Sequence, residues 1–331
     1  MTTSTPLCRL ALACSLAWAA TGHAADAVPS TRSLPEDWYP ESAAVGPDGS
    51  FYVGSWRQGA VARLKPGADQ AEVLVKPGSN GLSNGQGVLV DARRGLLWIC
   101  SGTLGYTTVP TRPSALKSYD LATGAPRASY ELPDKGYCND LAQDEQGNIY
   151  VTDSFQPRVF RWRDGDAALQ VWKEDTAFSA GPEGFKLNGI AIDRHHVYVS
   201  TVTAASYLLR IDIQSDGSAS AVTRIEMPRT LKNADGIRTA GPDRLVIFES
   251  NAFGHDGPYG GQISLATLSG DRASSLQTLV AGLNDPSGGV IAHHRVYFIE
   301  SKYGLLFAHK GDDAGIPRHV PFDLESVPLP N

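Results

Sequence analysis

The sequence predicts an all-β chain folded as a six-bladed β-propeller with four-stranded blades. Three observations predict it. Six stretches share one plan: a polar opening residue, an apolar run, a turn, and a second run with an aromatic or β-branched centre. Their openers fall at residues 41, 86, 139, 188, 235 and 287, and a repeat of about 40–50 residues with four strands per unit marks a propeller. No segment carries a helical period over 11 or more residues, which removes the helices that a doubly wound α/β fold needs between strands.

Taken in order, the N-terminus stands apart from the repeats. Arg9 precedes the apolar stretch "LALACSLAWAA", and "TGHAADA" follows with Gly22 and Ala24 at small-residue positions. The pattern predicts a signal peptide over residues 1–24. The apolar run is too short to span a bilayer, so the expected product is exported, periplasmic or secreted, without stable membrane insertion. Residues 25–37 form a lead containing Pro and Ser, and the propeller is expected over residues 38–331. The outermost strand of the last blade can come from this lead or from the C-terminal tail, and both remain open.

Blade one begins with "ESAAVGPDGSFYVGS" from Glu41 and continues with "AVARLKP" and "EVLVK". Blade two opens with "QGVLVDARRGLLWICS" from Gln86. Blade three opens with "NDLAQDEQGNIYVTDS" from Asn139, followed by "RVFRW" and "ALQVW". Blade four opens with "NGIAIDRHHVYVST" from Asn188, then "SYLLRIDI" and "AVTRIEM". "DGIRTAGPDRLVIFES" from Asp235 and "SGGVIAHHRVYFIES" from Ser287 begin blades five and six. The 34 glycines and 21 prolines sit between these runs, as turn punctuation does.

Bulk properties narrow the function. With 331 residues, 42% hydrophobic, the chain can bury a large core. A net charge of −6 without a Lys/Arg run argues against nucleic-acid partners. Cys100 and Cys138 either pair in an oxidising compartment or remain as buried thiols. Without a nearby histidine pair they do not suggest zinc.

Propeller topology gathers the openers. The first strand of each blade lines the channel, so all six openers share one channel mouth. Glu41, Gln86, Asn139, Asn188, Asp235 and Ser287 are all oxygen donors, which suits one hard divalent cation such as Ca²⁺. The competing reading is a hydrogen-bonded polar plug. His195, His196, His293 and His294 fall in hairpins on the opposite face and read as solvated turns. His255, in "NAFGHDGPYGG", and the blade-two loop "GTLGYTTVPTRPSAL" lie on the opener face and can cover the site. Asp153, Glu249 and Glu300 close second strands and are expected to hold backbone or neighbouring blades. "GLSNG" fits G-x-S-x-G, but Ser83 is followed by strand, turn and strand rather than the helix a nucleophile elbow requires. Neither nucleotide-binding glycine fingerprint is supported.

The motifs at Glu41, Asn139, Asn188 and Asp235, in register, resemble the senescence-marker-protein/gluconolactonase (regucalcin-like) family. That family in turn resembles paraoxonases, diisopropylfluorophosphatases and strictosidine synthases. The resemblance implies a catalytic divalent cation at the channel mouth, held by Glu41, Asn139, Asn188 and Asp235. It implies a base or nucleophile role for Asp235 and metal or substrate contact at Asn139; placement on the opener face adds Gln86 and His255 as further substrate-contact candidates. Three positions depart from the pattern. Tyr137 stands where gluconolactonases carry an arginine, Ser42 where a glycine is usual, and Gln86 where paraoxonases place a catalytic histidine. The expected function is metal-dependent hydrolysis of a lactone or related ester on a small-molecule substrate. The alternatives are a non-catalytic binding propeller with a structural metal and a phosphotriesterase-type hydrolase.

Overall fold

The computed structural model describes Met1 and residues 31–179, 184–203, 205–254, 256–310 and 312–331. The leader expected over residues 1–24 and His255 therefore lie outside the described residues. Six four-stranded antiparallel sheets form the expected blades. Their innermost strands are Pro40–Val45, Asn84–Asp91, Cys138–Gln143, Leu187–Asp193, Ala234–Thr239 and Gly289–Ala292. Blade six differs slightly from expectation, since Ser287 and Gly288 precede its inner strand. One helical turn, Gly304–Phe307, follows its second strand. Among the described residues no helix is long and apolar enough to cross a membrane.

Both chain ends close the ring. The C-terminal strand Asp323–Pro328 is third in blade six, and Arg32–Ser33 pairs with it as the outermost strand. The lead thus supplies the closing strand and the tail the one beside it. The second strands of blades one and three, Phe51–Ser55 and Ile149–Asp153, are buried along their whole length. Strands covered on both faces carry continuous apolar runs rather than strict alternation. The core is divided among the seams: Phe51 and Val53 pack with Tyr297 and Ile299 between blades one and six, and Trp98 and Cys100 pack with Val151 and Phe160 between blades two and three. Cys100 and Cys138 form a disulfide within this second seam. It fastens the second strand of blade two to the residue preceding Asn139.

Candidate active site

Each inner strand of blades one to five carries a break in register. The slips lie between Pro40 and Ala43, Gly85 and Val88, Cys138 and Leu141, Leu187 and Ile190, and Ala234 and Ile237. The two residues inside each slip are the opener and its follower. A bulge bends the strand and re-aims a side chain. This is why Asn139 and Asp140, poor strand formers, replace an apolar residue at the head of blade three.

The follower is glycine in four blades, at Gly87, Gly189, Gly236 and Gly288. A Cβ on Gly236 would lie 2.8 Å from Ser287 O, and one on Gly288 would lie 2.7 Å from Glu41 O. The missing side chain lets adjacent inner strands close up and draws the openers together. The other two followers are Ser42 and Asp140, and both engage Arg238. Arg238 Nη1 lies 2.7 Å from Asp140 Oδ2, and Nη2 donates to Ser42 Oγ at 2.9 Å. Asp140 also accepts from Leu141 N and Ile190 N. This pair links blades one, three and five one layer farther along the channel, and Ser42 stands in place of glycine because it takes part.

Glu41, Gln86, Asn139, Asn188 and Asp235 line one cavity of about 180 Å³. All five are more than nine-tenths buried. Ser287, the sixth opener, does not line it. Its hydroxyl donates to Glu41 O at 2.7 Å and lies 2.5 Å from Ser301 Oγ, so it positions the backbone of Glu41. Leu104 of the blade-two loop and Phe253, two residues before His255, line the mouth.

Three amide groups around the cavity turn an N–H donor into the protein, while Asn188 donates to Asp235. Gln86 Nε2 donates to Tyr137 OH at 2.7 Å, Asn139 Nδ2 to Ser154 Oγ at 2.9 Å, and Asn233 Nδ2 to Ser250 Oγ at 2.8 Å. Their oxygens face the other way. Asn139 Oδ1, Asn233 Oδ1 and Glu41 Oε2 are buried without a hydrogen-bond partner, and all three residues line the same cavity. A buried acceptor left unpaired costs free energy of about 1–3 kcal/mol.

The carboxylates are strained electrostatically. Burial pushes the Glu41 carboxyl well above the usual range, Asp235 and Asp140 add to this, and Arg238 opposes it. Burial also pushes Asp235 up to about 7, while hydrogen bonds from Ser250 and Asn188 oppose the rise and Asp285 and Asp140 add to it. A bound divalent cation reverses this balance by favouring the ionised forms. Among the described residues no three His, Cys, Asp or Glu side chains gather as a metal cluster. Any ion here therefore depends on amide oxygens as well as on Glu41 and Asp235. Two carboxylates and unpartnered amide oxygens are the donors of a hard cation, and the residues present fit one.

Sequence reasoning missed Asn233 and the aromatic walls, and marked Tyr137 only as a departure from the family pattern. Asn233 and Tyr137 each lie two residues before an opener, just outside the inner strand. That shared offset was the available signal. The wall of Trp56, Tyr303 and Phe307, with ring centroids 5.0 to 5.7 Å apart, comes from the turn after Ser55 and from the single helical turn Gly304–Phe307 with its N-cap, and had no such signal. The strand-ending acids behave as expected. Asp153 accepts from Tyr137 N, Glu249 from Lys232 N, and Glu300 from Asn284 N, so each holds the chain just ahead of its opener. His195, His293 and His294 are exposed at the far hairpins, and His196 Nδ1 lies 2.6 Å from Asp212 Oδ1.

No family model matches the chain. No curated protein matches it in sequence. Among solved structures it is similar to a gluconolactonase from Xanthomonas campestris, described as important in glucose secondary metabolic pathways. The identity is 16%, over 88% of this chain and 86% of that one, with a TM-score of 0.59. A second structure, provisionally named a gluconolactonase, is 14% identical over 92% and 95% of the two chains, with a TM-score of 0.61. A chain of the nidogen/laminin complex is 15% identical over 74% and 83%, with a TM-score of 0.54. At these identities the likeness establishes the fold that the chain shares with these proteins, and the fold alone.

Proposed function

We propose that the chain is a divalent-cation-dependent hydrolase of a lactone or related carboxylic ester, acting at the channel mouth. One observation carries the reading: Glu41 Oε2, Asn139 Oδ1 and Asn233 Oδ1, buried and unpartnered, belong to one cavity that also holds Asp235. Glu41, Asn139, Asn188 and Asp235 would hold the ion, with Asn233 beside them, and Ca²⁺ suits an all-oxygen set. When bound, such an ion polarises the ester carbonyl and stabilises the oxyanion. Asp235 takes a proton from the attacking water at a carboxylate oxygen. Tyr137 OH accepts from Gln86, which leaves its own proton for a substrate oxygen. Trp56, Tyr303 and Phe307 limit water at the reacting carbonyl.

The solved gluconolactonases with the same fold support this reading. The leader-like segment and the Cys100–Cys138 disulfide support export to the periplasm or beyond, since disulfides persist in oxidising compartments. The test is a panel of lactones and esters assayed after chelation and after calcium is restored. Chelation should abolish turnover, and Asp235→Asn should lower kcat by about 10²–10⁴-fold. Full activity in Asp235→Asn would remove Asp235 from the chemistry. Thermal stabilisation by calcium without turnover of any lactone or ester would instead indicate a binding propeller with a structural ion.

A further inference from the structure

Tyr137 lines the cavity beside an apolar set of side chains. The described residues lining it include no Lys, Arg or His. Among the described residues no cationic lining side chain offsets Glu41 and Asp235 for an anionic substituent. Few groups are left for a polyol, because the amides of Gln86, Asn139 and Asn233 each spend one of two N–H donors on Tyr137, Ser154 and Ser250, and the unpartnered oxygens beside them are those that would hold the ion. The walls above these polar groups are Trp56, Leu104, Phe185, Val202, Phe253 and Phe307.

The mouth carries a second, independent sign. Leu104, Phe253 and Phe307 are 37%, 45% and 46% exposed. They make up three of the seven large apolar side chains that the described residues expose, and all three surround this one opening. Exposed apolar groups concentrated at a concave site mark a surface that an apolar ligand covers. The cavity of about 180 Å³ is slightly larger than the roughly 150 Å³ that holds benzene.

From this we infer that the hydrolase takes an uncharged lactone or ester bearing one apolar ring, in preference to polyhydroxylated or anionic lactones. The inference rests on the hydrolase reading above. Phe253 and Phe307 are then specificity residues that cover the ring, while the polar base of the cavity handles the ester.

The test uses the full, calcium-loaded chain and three δ-lactones: phenyl-substituted δ-valerolactone, unsubstituted δ-valerolactone and glucono-δ-lactone. We expect kcat/KM for the phenyl lactone to exceed that for gluconolactone by about 100-fold, the scale of discrimination that apolar pockets reach. Phe253→Ala and Phe307→Ala should each narrow the phenyl-to-unsubstituted ratio by about fivefold or more; neither residue is deeply buried, so folding should survive. If gluconolactone is turned over as well as the phenyl lactone, the inference fails and the hydrolase reading stands. If none of the three is hydrolysed, the inference fails, and the hydrolase reading fails with it only when the wider lactone and ester panel is also inert. An unchanged ratio in both variants overturns the assignment of the ring to this mouth.

Discussion

Replacing Arg238 by Met tests the ion pair that lies one layer below the site. The Asp140 side chain is 4% exposed and that of Arg238 16%. Arg238 bonds to both Asp140 oxygens, at 2.7 and 3.3 Å, and to Ser42 Oγ at 2.9 Å. Methionine keeps much of the stem and removes every one of these bonds. Breaking a buried pair by removing one partner costs about 3–5 kcal/mol. Arg238 is reached by some water, so the lower end, about 3 kcal/mol, is expected. At about 2–4 °C per kcal/mol for a chain of this order, the melting temperature should fall by about 6–12 °C. Adding Asp140→Asn should recover most of the loss, because the orphaned charge disappears, and the double-mutant cycle isolates the coupling. Arg238 also opposes the rise in the Glu41 pKa, so calcium affinity near neutral pH should weaken in Arg238→Met. A melting temperature within about 2 °C of wild type, or a further loss on adding Asp140→Asn, refutes this account.

Three further outcomes follow from the same coordinates. Gly189→Ala places a Cβ against Asp235 O and Ile237 N; overpacking of this kind costs about 1–3 kcal/mol, and a urea midpoint with a calcium titration should show both lost stability and weaker binding. Removing the disulfide by Cys100→Ala with Cys138→Ala frees a link spanning 38 residues, worth about 4 kcal/mol in the chain-entropy model, again read from urea unfolding. In chelator, Asp235 in the folded chain keeps its proton up to about 7 whereas the unfolded chain releases it near 3.8. The stability this group contributes is therefore full below about pH 4 and lost as pH rises through about 7, a change on the order of 4 kcal/mol. Thermal melts of wild type against Asp235→Asn across that window isolate the group, calcium should shrink the fall, and a difference that grows in the opposite direction would contradict the assignment.

The propeller was legible because each blade repeats an opener, a hairpin and an apolar second strand, and four such motifs keep their register with a known family. The openers were legible for the same reason. Their geometry was not, since a bulge adds one residue without changing composition: Asn139 and Asp140 read as a flaw in a strand until the register slip explains them. Ser42 read as a departure, and only the contact with Arg238, 196 residues away, gives it a reason. Asn233 was hidden because it precedes the repeat that drew attention. Ser287 looked equivalent to the other openers, yet it reaches Glu41 O rather than the cavity, because blade six begins its strand two residues later. The aromatic walls come from connections between strands, including the one-turn helix Gly304–Phe307, which is too short to show a helical period.

Ring closure also ties the site to both ends of the chain. Glu41 belongs to the first blade and the hydroxyl that holds its backbone to the last, 246 positions further along the chain. Arg32–Ser33 cannot dock until Asp323–Pro328 exists. A chain that stops short of Asp323–Pro328 therefore leaves blade six without its third and fourth strands. Truncated products should accordingly melt lower than the full chain, because the ring is fastened only where its two ends meet.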